Sequence, residues 1–502
     1  MQAPSLQAKK SVDDIWPVTG RRVLIRVDFN LGIRDGTIGN DYHIRTAIPT
    51  IRRIMDQGGI CILLSHLGRP KGIGSDRVDV TQQKKEMSNY FQEHKGKTSF
   101  FASLSSEDKS LILSWSTKKD KFDLSSVNSS KTATFARLTD EEKKSLIQRF
   151  LDENKDRMFS QLSPSAGYEE EYSLQVVAER LAELLGQHVY FAHDCLRAKH
   201  EIQKLRCGEV MLLENLRFYT DETSPDPACR SKMAEVLASY GDIFINDAFG
   251  SCNREVASIT DLSRIMGHCA AGYLMEREIY YFSKLLNNPP RPLVAIVGGG
   301  KQSDKIGLLA NMLDRIDKLI IGGGVASAFL KAKGFSTGRS SCAEDVVLQA
   351  EQVLKTAKKR KVDVYLPLDH VCHSAVEFTE RPLITTGPDV PEGYYGLDIG
   401  PKTVQLFSRV ISECKAAVWN GPVGAFEYKC FSKGTFAIAE AMSTATQKNG
   451  LLSIIGGGDS ANAVEMSGEA PLMSHVSTGG IASLELLEGK ILPGIAALDD
   501  KE

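Results

Sequence analysis

Short runs of consecutive apolar residues, each closed by Gly, Asn, Asp or Ser and followed by a helical pattern, recur along most of the chain. Such runs predict parallel strands that are buried on both faces and alternate with helices. In the first half they fall at residues 23–27, 61–64, 211–213 and 243–245, and in the second at 293–297, 319–321, 362–366, 416–418 and 451–455. Between the two sets a helical stretch at 274–286 runs into Asn287-Asn288-Pro289-Pro290-Arg291-Pro292, a natural break.

The pattern predicts an α/β protein with two doubly wound, Rossmann-like parallel-sheet domains joined by a hinge helix. The expected boundaries are 1–273 for the first domain, 274–290 for the hinge helix, 291–483 for the second domain and 484–502 for a tail. One stretch breaks the alternation: about 74–171 is rich in Ser, Lys, Asp and Glu and has no buried strand. It holds two similar pieces with helix-capping starts, Ser105 with Asp108 and Thr139 with Glu142. It reads as a surface insertion of short amphipathic helices, either inert or a contact for a protein partner.

A chain of 502 residues is too long for one ordinary core, which agrees with two domains. The net charge of −2 argues against non-specific nucleic-acid binding. The 10 cysteines include no C-x-x-C pair, so neither a zinc ribbon nor a dithiol redox site is supported. Asp369, His370, Cys372 and His373 imitate a metal cluster, but read more simply as a polar turn after the strand at 362–366. No secretory signal is expected, and no apolar stretch reaches the roughly 18 residues of a membrane span. The terminal Asp-Asp-Lys-Glu is not a peroxisomal-type tripeptide, leaving cytoplasm and glycosome open.

Ligands of open α/β sheets sit at the carboxyl ends of the strands. In the second half those ends are glycine triplets: Gly298-Gly299-Gly300, Gly322-Gly323-Gly324 and Gly456-Gly457-Gly458. They suit the close approach of backbone N–H groups to phosphate; tight turns and close packing are the competing account. Lys301 and Lys305 open the helix after the first triplet, four residues apart, where a polyphosphate would compensate two cations at a helix start. Asp459 follows the last triplet, a place for a carboxylate that holds Mg²⁺ against phosphate oxygens. Glu427 reads equally as a partner for ribose hydroxyls or as an exposed structural residue. In the first half the strands lead instead to Asp28 and Asn30, to His66 and Arg69, to Arg217 and to Arg254, a set expected to gather at one sheet edge. Three arginines and a histidine there suit a small phosphorylated acid.

These stretches resemble the phosphoglycerate kinase family: Arg26-Val-Asp-Phe-Asn, Ser65-His-Leu-Gly-Arg-Pro-Lys-Gly, Glu214-Asn-Leu-Arg-Phe, Asp247-Ala-Phe-Gly, Val418-Trp-Asn-Gly-Pro-Val-Gly, Ile454-Ile-Gly-Gly-Gly-Asp and Ser474-His-Val-Ser-Thr-Gly-Gly. The insertion and Leu366-Pro-Leu-Asp-His-Val-Cys-His look most like trypanosomatid members, some of which reside in glycosomes. The resemblance implies reversible transfer between 3-phosphoglycerate with MgATP and 1,3-bisphosphoglycerate with MgADP, in a monomer that closes about its hinge. It implies that the acid lies against Asp28, Asn30, His43, His66, Arg69, Arg217 and Arg254. It implies nucleotide contacts from Gly299, Ser303, Lys305, Gly323, Gly324, Gly396, Asn420, Pro422, Val423, Glu427, Asp459 and Ser460, with Asp459 on the metal. Transfer itself would involve Lys301, Lys305, His43, Gly458 and Gly480, and the segment 484–498 would fold back on the first domain.

Three positions depart from the family pattern. His43 stands where the family has an arginine, and a histidine is cationic only toward acid pH and lacks the guanidinium fork. Arg45, two residues on, is not expected to share its helix face. Ile481 replaces the third glycine of a triplet, where a β-branched residue is expected to conflict with a positive φ and with N–H groups facing the phosphoryl group. Asn253 replaces a histidine beside Arg254. The expectation is therefore a kinase, slowed at the transfer step. The alternative is an impaired nucleotide-binding scaffold or regulator whose insertion holds a partner. A dehydrogenase is disfavoured because no G-x-G-x-x-G follows the first strand.

Overall fold

The structure, a computed structural model, describes residues 9–72, 168–374 and 381–501 apart from Trp16, Asp35, Lys301 and Ser341. The two capping-box segments of the insertion and Lys301 thus lie outside the described residues. Contacts divide the chain into two compact units: Met1–Gly68 with Leu174–Leu216 and Glu222–Glu502, and Arg69–Ser173 with Arg217–Asp221.

The first unit contains two six-stranded sheets. One is built from β1 (Arg22–Val27), β2 (Ile60–Leu64), β3 (Val189–Ala192), β4 (Val210–Leu213), β5 (Ile243–Asp247) and β6 (Ala270–Ala271). Its spatial order is β3-β4-β2-β1-β5-β6, with every pair parallel. The other contains β7 (Leu293–Val297), β8 (Lys318–Ile321), β9 (Asp363–Tyr365), β10 (Ala416–Asn420), β11 (Leu452–Gly456) and β12 (His475–Val476). Its order, β9-β8-β7-β10-β11-β12, is again wholly parallel. Strand order reverses between β1 and β5 in the first sheet and between β7 and β10 in the second. Those reversals open crevices at the strands' carboxyl ends. Each sheet has its own apolar core, one around Val23, Ile25, Leu63 and Leu212, the other around Ile296, Ile320, Trp419 and Ile455.

Six helices position the site: α1 (Tyr42–Asp56), α2 (Gln175–Leu185), α3 (Tyr273–Asn287), α4 (Gln302–Met312), α5 (Gly458–Met466) and α6 (Ile481–Leu487). The segment predicted as a hinge helix is α3. Its first turn is tied to the first sheet: Met275 N donates to Asp247 Oδ1 at 3.1 Å, and Tyr273 N to Thr50 Oγ1 of α1 at 2.9 Å. One turn on, Glu278 faces the second sheet's end, 2.7 Å from His475 Nε2 and accepting from Thr478 N at 2.8 Å. The last residues return to the first sheet's surroundings, where Gly494 N donates to Cys252 O and Lys10 N to Asp499 O.

All nine predicted strands exist, with ends shifted by a residue or two. Of the strands in the two large sheets, β3, β6 and β12 do not follow from the apolar runs. β3 is an edge strand with only its end residues buried, so its apolar run is too weak to read. The supposed polar turn at 369–373 is also corrected: His370–His373 is a strand between Leu383–Ile384 and Tyr395–Ile399 in a small antiparallel sheet. Its polarity misleads because Asp369 is a buried cap, accepting from Lys402 N and Thr403 N at the start of helix Pro401–Ser412. Among the described residues, no helix is long and apolar enough to cross a membrane.

Candidate active site

At the end of the first sheet, a buried arginine organises the surroundings. Arg26, inside the apolar strand β1, is 1% exposed. Its guanidinium donates to Ser258 Oγ at 2.9 Å, meets His66 Nδ1 at 3.0 Å, donates to Val27 O, and lies 4.0 Å from Glu222 Oε1. Glu222 in turn accepts from Ser258 N at 3.0 Å and Ser258 Oγ at 2.6 Å. A charge in a strand interior is tolerated only with such partners. In the sequence Arg26 is marked by one signal, a lone charge in an apolar run.

Beside this network Asp28 leaves β1. Burial pushes its carboxyl up, yet the basic His66, His43 and Arg26 around it outweigh burial and hold it below the ordinary value. Its Oδ1 accepts from Asn30 N at 3.2 Å, and His43 Nδ1 of α1 lies 3.2 Å from Asp28 O. Asn30 accepts from Gly68 N at 2.9 Å. Asp28, Asn30, His43 and His66 are thus brought together. Arg254 is exposed beyond the turn Phe249–Ser251 of the same unit. Arg69 and Arg217 belong to the second unit, where Arg69 is exposed and Arg217 sits in the short helix Leu216–Phe218.

The end of the second sheet is made of backbone. Gly298 N donates to Asn420 O, Gly299 N to Pro422 O at 2.7 Å, Gly322 N to Val297 O and Gly323 N to Val423 O. A Cβ on Gly298 would lie 2.2 Å from Pro422 O, and Gly299 and Gly323 hold φ of 89° and 57°. For these four glycines close packing is the physical reason, since their N–H groups already have carbonyl partners. Their N–H groups are thus already engaged. At the third triplet Gly457 (φ 97°) leads into α5, and the first N–H groups of that helix have no intrahelical acceptors. Lys305 of α4 crosses the floor of this end, its Nζ donating to Gly298 O at 2.6 Å and reaching Asn420 O at 3.4 Å. Ser460 Oγ accepts from Gly421 N at 2.6 Å and Asn420 Nδ2 donates to Gly480 O at 3.3 Å, so β10, α5 and the glycines before α6 share one edge. Pro422 and Val423 are buried in the same loop, Glu427 is exposed beyond it, and Gly324 precedes the helix Val325–Ala332. Ser303 lies in the first turn of α4. Gly396 lies in the small antiparallel sheet, where a Cβ would meet Val390 Cγ2 at 3.3 Å and His370 Nδ1 at 3.6 Å.

Ile481 corrects an expectation. Among the described residues the only non-glycine with positive φ is Lys361, and Ile481 is the first residue of α6, 50% exposed. A β-branched residue at that helical position is unstrained. Arg45, two residues from His43, is engaged elsewhere: its Nε lies 2.8 Å from Asp41 Oδ1.

The donor set suits a phosphate-bound magnesium ion. Asp459 is an exposed carboxylate in the first turn of α5, and among the described residues no group of three or more His, Cys, Asp or Glu is arranged to hold a metal. One carboxylate beside a phosphate cradle is how Mg²⁺, which keeps water and phosphate ligands, is usually held.

The sequence model described as phosphoglycerate kinase matches residues 12–114 and 130–490. Glycosomal phosphoglycerate kinase of Trypanosoma congolense is 58% identical over 500 residues, 99% of this chain and 98% of that protein. Phosphoglycerate kinase A of Trypanosoma brucei brucei is 57% identical over the same shares of the two chains. The structure of phosphoglycerate kinase from Coxiella burnetii superposes with a TM-score of 0.66 at 29% identity, covering 97% of this chain and 98% of that one. Two parallel sheets whose ends share one connecting helix, one end built of glycines and the other of charged side chains, and likeness along nearly the full length agree: the chain belongs to the phosphoglycerate kinase family.

Proposed function

We propose that this protein transfers a phosphoryl group reversibly between ATP and the carboxylate of 3-phosphoglycerate, giving ADP and 1,3-bisphosphoglycerate. The observation that carries the reading is α3, which holds the charged end of the first sheet through Asp247 and the glycine-built end of the second through Glu278. The acid is held by Asp28, Asn30, His43, His66 and Arg254, with Arg69 and Arg217. The nucleotide is held by Gly299, Ser303, Lys305, Gly323, Gly324, Gly396, Asn420, Pro422, Val423, Glu427 and Ser460, with Gly458 and Gly480 beside the transferring group. Asp459 holds magnesium, which when bound offsets charge on the phosphate oxygens.

An oxygen of the acid's carboxylate attacks the γ-phosphorus as the bond to the ADP oxygen breaks, so catalysis is positioning and charge stabilisation. Lys301 guides the moving group, and Lys305 fixes the carbonyl floor beneath it. Closure about α3 excludes water, which would otherwise take the phosphoryl group. The protein works as a monomer, in glycosome or cytoplasm; the glycosomal name of the T. congolense relative supports the former.

His43 makes transfer slow, because an imidazole lacks the guanidinium fork that grips a phosphoryl group at two points. The test is steady-state turnover with MgATP and 3-phosphoglycerate, coupled to bisphosphoglycerate reduction. Turnover is expected, with His43→Arg raising it at least about tenfold. No turnover with MgADP still bound would overturn the kinase reading. Turnover unchanged by His43→Arg would overturn the part assigned to His43.

A further inference from the structure

One set of charges joins the two halves of the first unit away from α3. Asp41, just before α1, is clasped from both sides: Arg180 of α2 donates to its Oδ2 at 2.7 and 3.0 Å, and Arg45 of α1 meets its Oδ1 at 2.8 Å. Burial works against the Asp41 carboxylate, but the two guanidinium groups hold it below its ordinary value. Arg45 then extends across to α5, its guanidinium 4.0 Å from Glu465 Oε2. Two uncharged bonds run in parallel, Asn40 Nδ2 to Asn462 Oδ1 at 3.3 Å and Tyr42 hydroxyl to Val476 O at 2.8 Å. Asn40 and Asn462, with Asp41, Arg45, Arg180 and Glu465, border a crevice of about 690 Å³.

The two helices joined here are the ones that carry the site. α5 begins at Gly458, Asp459 and Ser460, on the nucleotide end, and Glu465 lies near its other end. α1 begins at Tyr42 and His43, on the acid end, with Arg45 one turn from Asp41. A helix of nine residues moves as one piece, so a displacement at its first turn is felt at Glu465. We propose that the series Arg180, Asp41, Arg45 and Glu465 is an electrostatic latch through which occupancy of the nucleotide end strengthens binding at the acid end. Arg45 and Glu465 are positioning residues, and the inference rests on the assignment of the two ends made above. Asp41, locked between two arginines, sets the direction of Arg45. The pair itself is exposed and modest, which suits a contact that must open in every cycle.

Coupling of this kind is reciprocal and is measured as a ratio of affinities. The affinity for 3-phosphoglycerate would be taken by calorimetry with and without MgADP, for the wild type, Arg45→Gln, Glu465→Gln and the double variant. Each single change is expected to reduce the ratio by about three- to fivefold, the range of an exposed ion pair, and the double variant by no more than either single one. Small-angle scattering of the ligand-free proteins gives a second readout: the radius of gyration rises in each variant and in wild type at high salt. Unchanged ratios and radii, or losses that multiply in the double variant, would overturn the latch. If the wild type binds no 3-phosphoglycerate, the functional assignment fails while the scattering still decides whether the latch exists.

Discussion

The two sheet ends reach similar positions by opposite means. The first is built from charged side chains that hold one another in place, Arg26 against Glu222, Ser258 and His66, with Asp28 beside them. The second is built from glycines packed so tightly that their own carbonyl partners fill them, with Lys305 laid across the floor. A side-chain site fails when one charge is left alone, whereas a backbone site fails when one atom is added. The first failure is electrostatic and the second steric.

The largest expected effect is at Arg26. Arg26→Met removes the buried guanidinium that Ser258, His66 and Glu222 surround, and should cost about 3–5 kcal/mol in denaturant unfolding; a loss below about 1 kcal/mol would show that the network contributes little. Next is Gly298→Ala, whose methyl meets Pro422 O, at about 2–3 kcal/mol together with loss of nucleotide binding. Its contrast is Gly300→Ala, with nothing within 4 Å of the added carbon, which should lie within about 0.5 kcal/mol of wild type. Equal effects at the two glycines would break the steric account of this end.

A third prediction concerns Asp247, where the first sheet meets α3. Burial pushes its carboxyl from an ordinary 3.8 to about 7, despite bonds from Thr50 and the first turn of α3. The folded state therefore binds this proton more tightly than the unfolded chain does. Its stabilising contribution is full below 3.8 and is lost as pH rises through about 7. Asp247→Asn should flatten the fall in melting temperature across that window; a variant that follows the wild-type curve would remove Asp247 from the account. The smallest effect is at Ile481. Ile481→Gly should cost roughly 0.5 kcal/mol through helix propensity and leave turnover unchanged, whereas a gain in turnover would restore a steric role to the isoleucine.

What was legible in the sequence follows from the same contrast. Strands buried on both faces announce themselves, so β1, β2, β7 and β11 could be located to within a residue. Edge strand β3 and the strand His370–His373 could not, because edge exposure and polar pairing remove the apolar run on which the reading depends. The glycine triplets were visible, but not which N–H groups had partners; that depends on how Pro422 and Val423 return against them. Ile481 was misjudged because φ is set by the start of α6, a tertiary fact. The Arg26 network joins residues some two hundred positions apart, beyond any spacing rule.

The long departure from the α/β alternation has one further consequence. Lys71 N donates to a Glu169 carboxylate oxygen at 2.6 Å, although the two are 98 positions apart. Among the described residues, this hydrogen bond draws the two flanks of the departure together. Flanks held this close are a graft point: a short linker, or a fluorescent reporter whose own ends lie close together, can be spliced between them. Whatever the segment does in the cell can then be separated from what the two sheet ends do in the test tube.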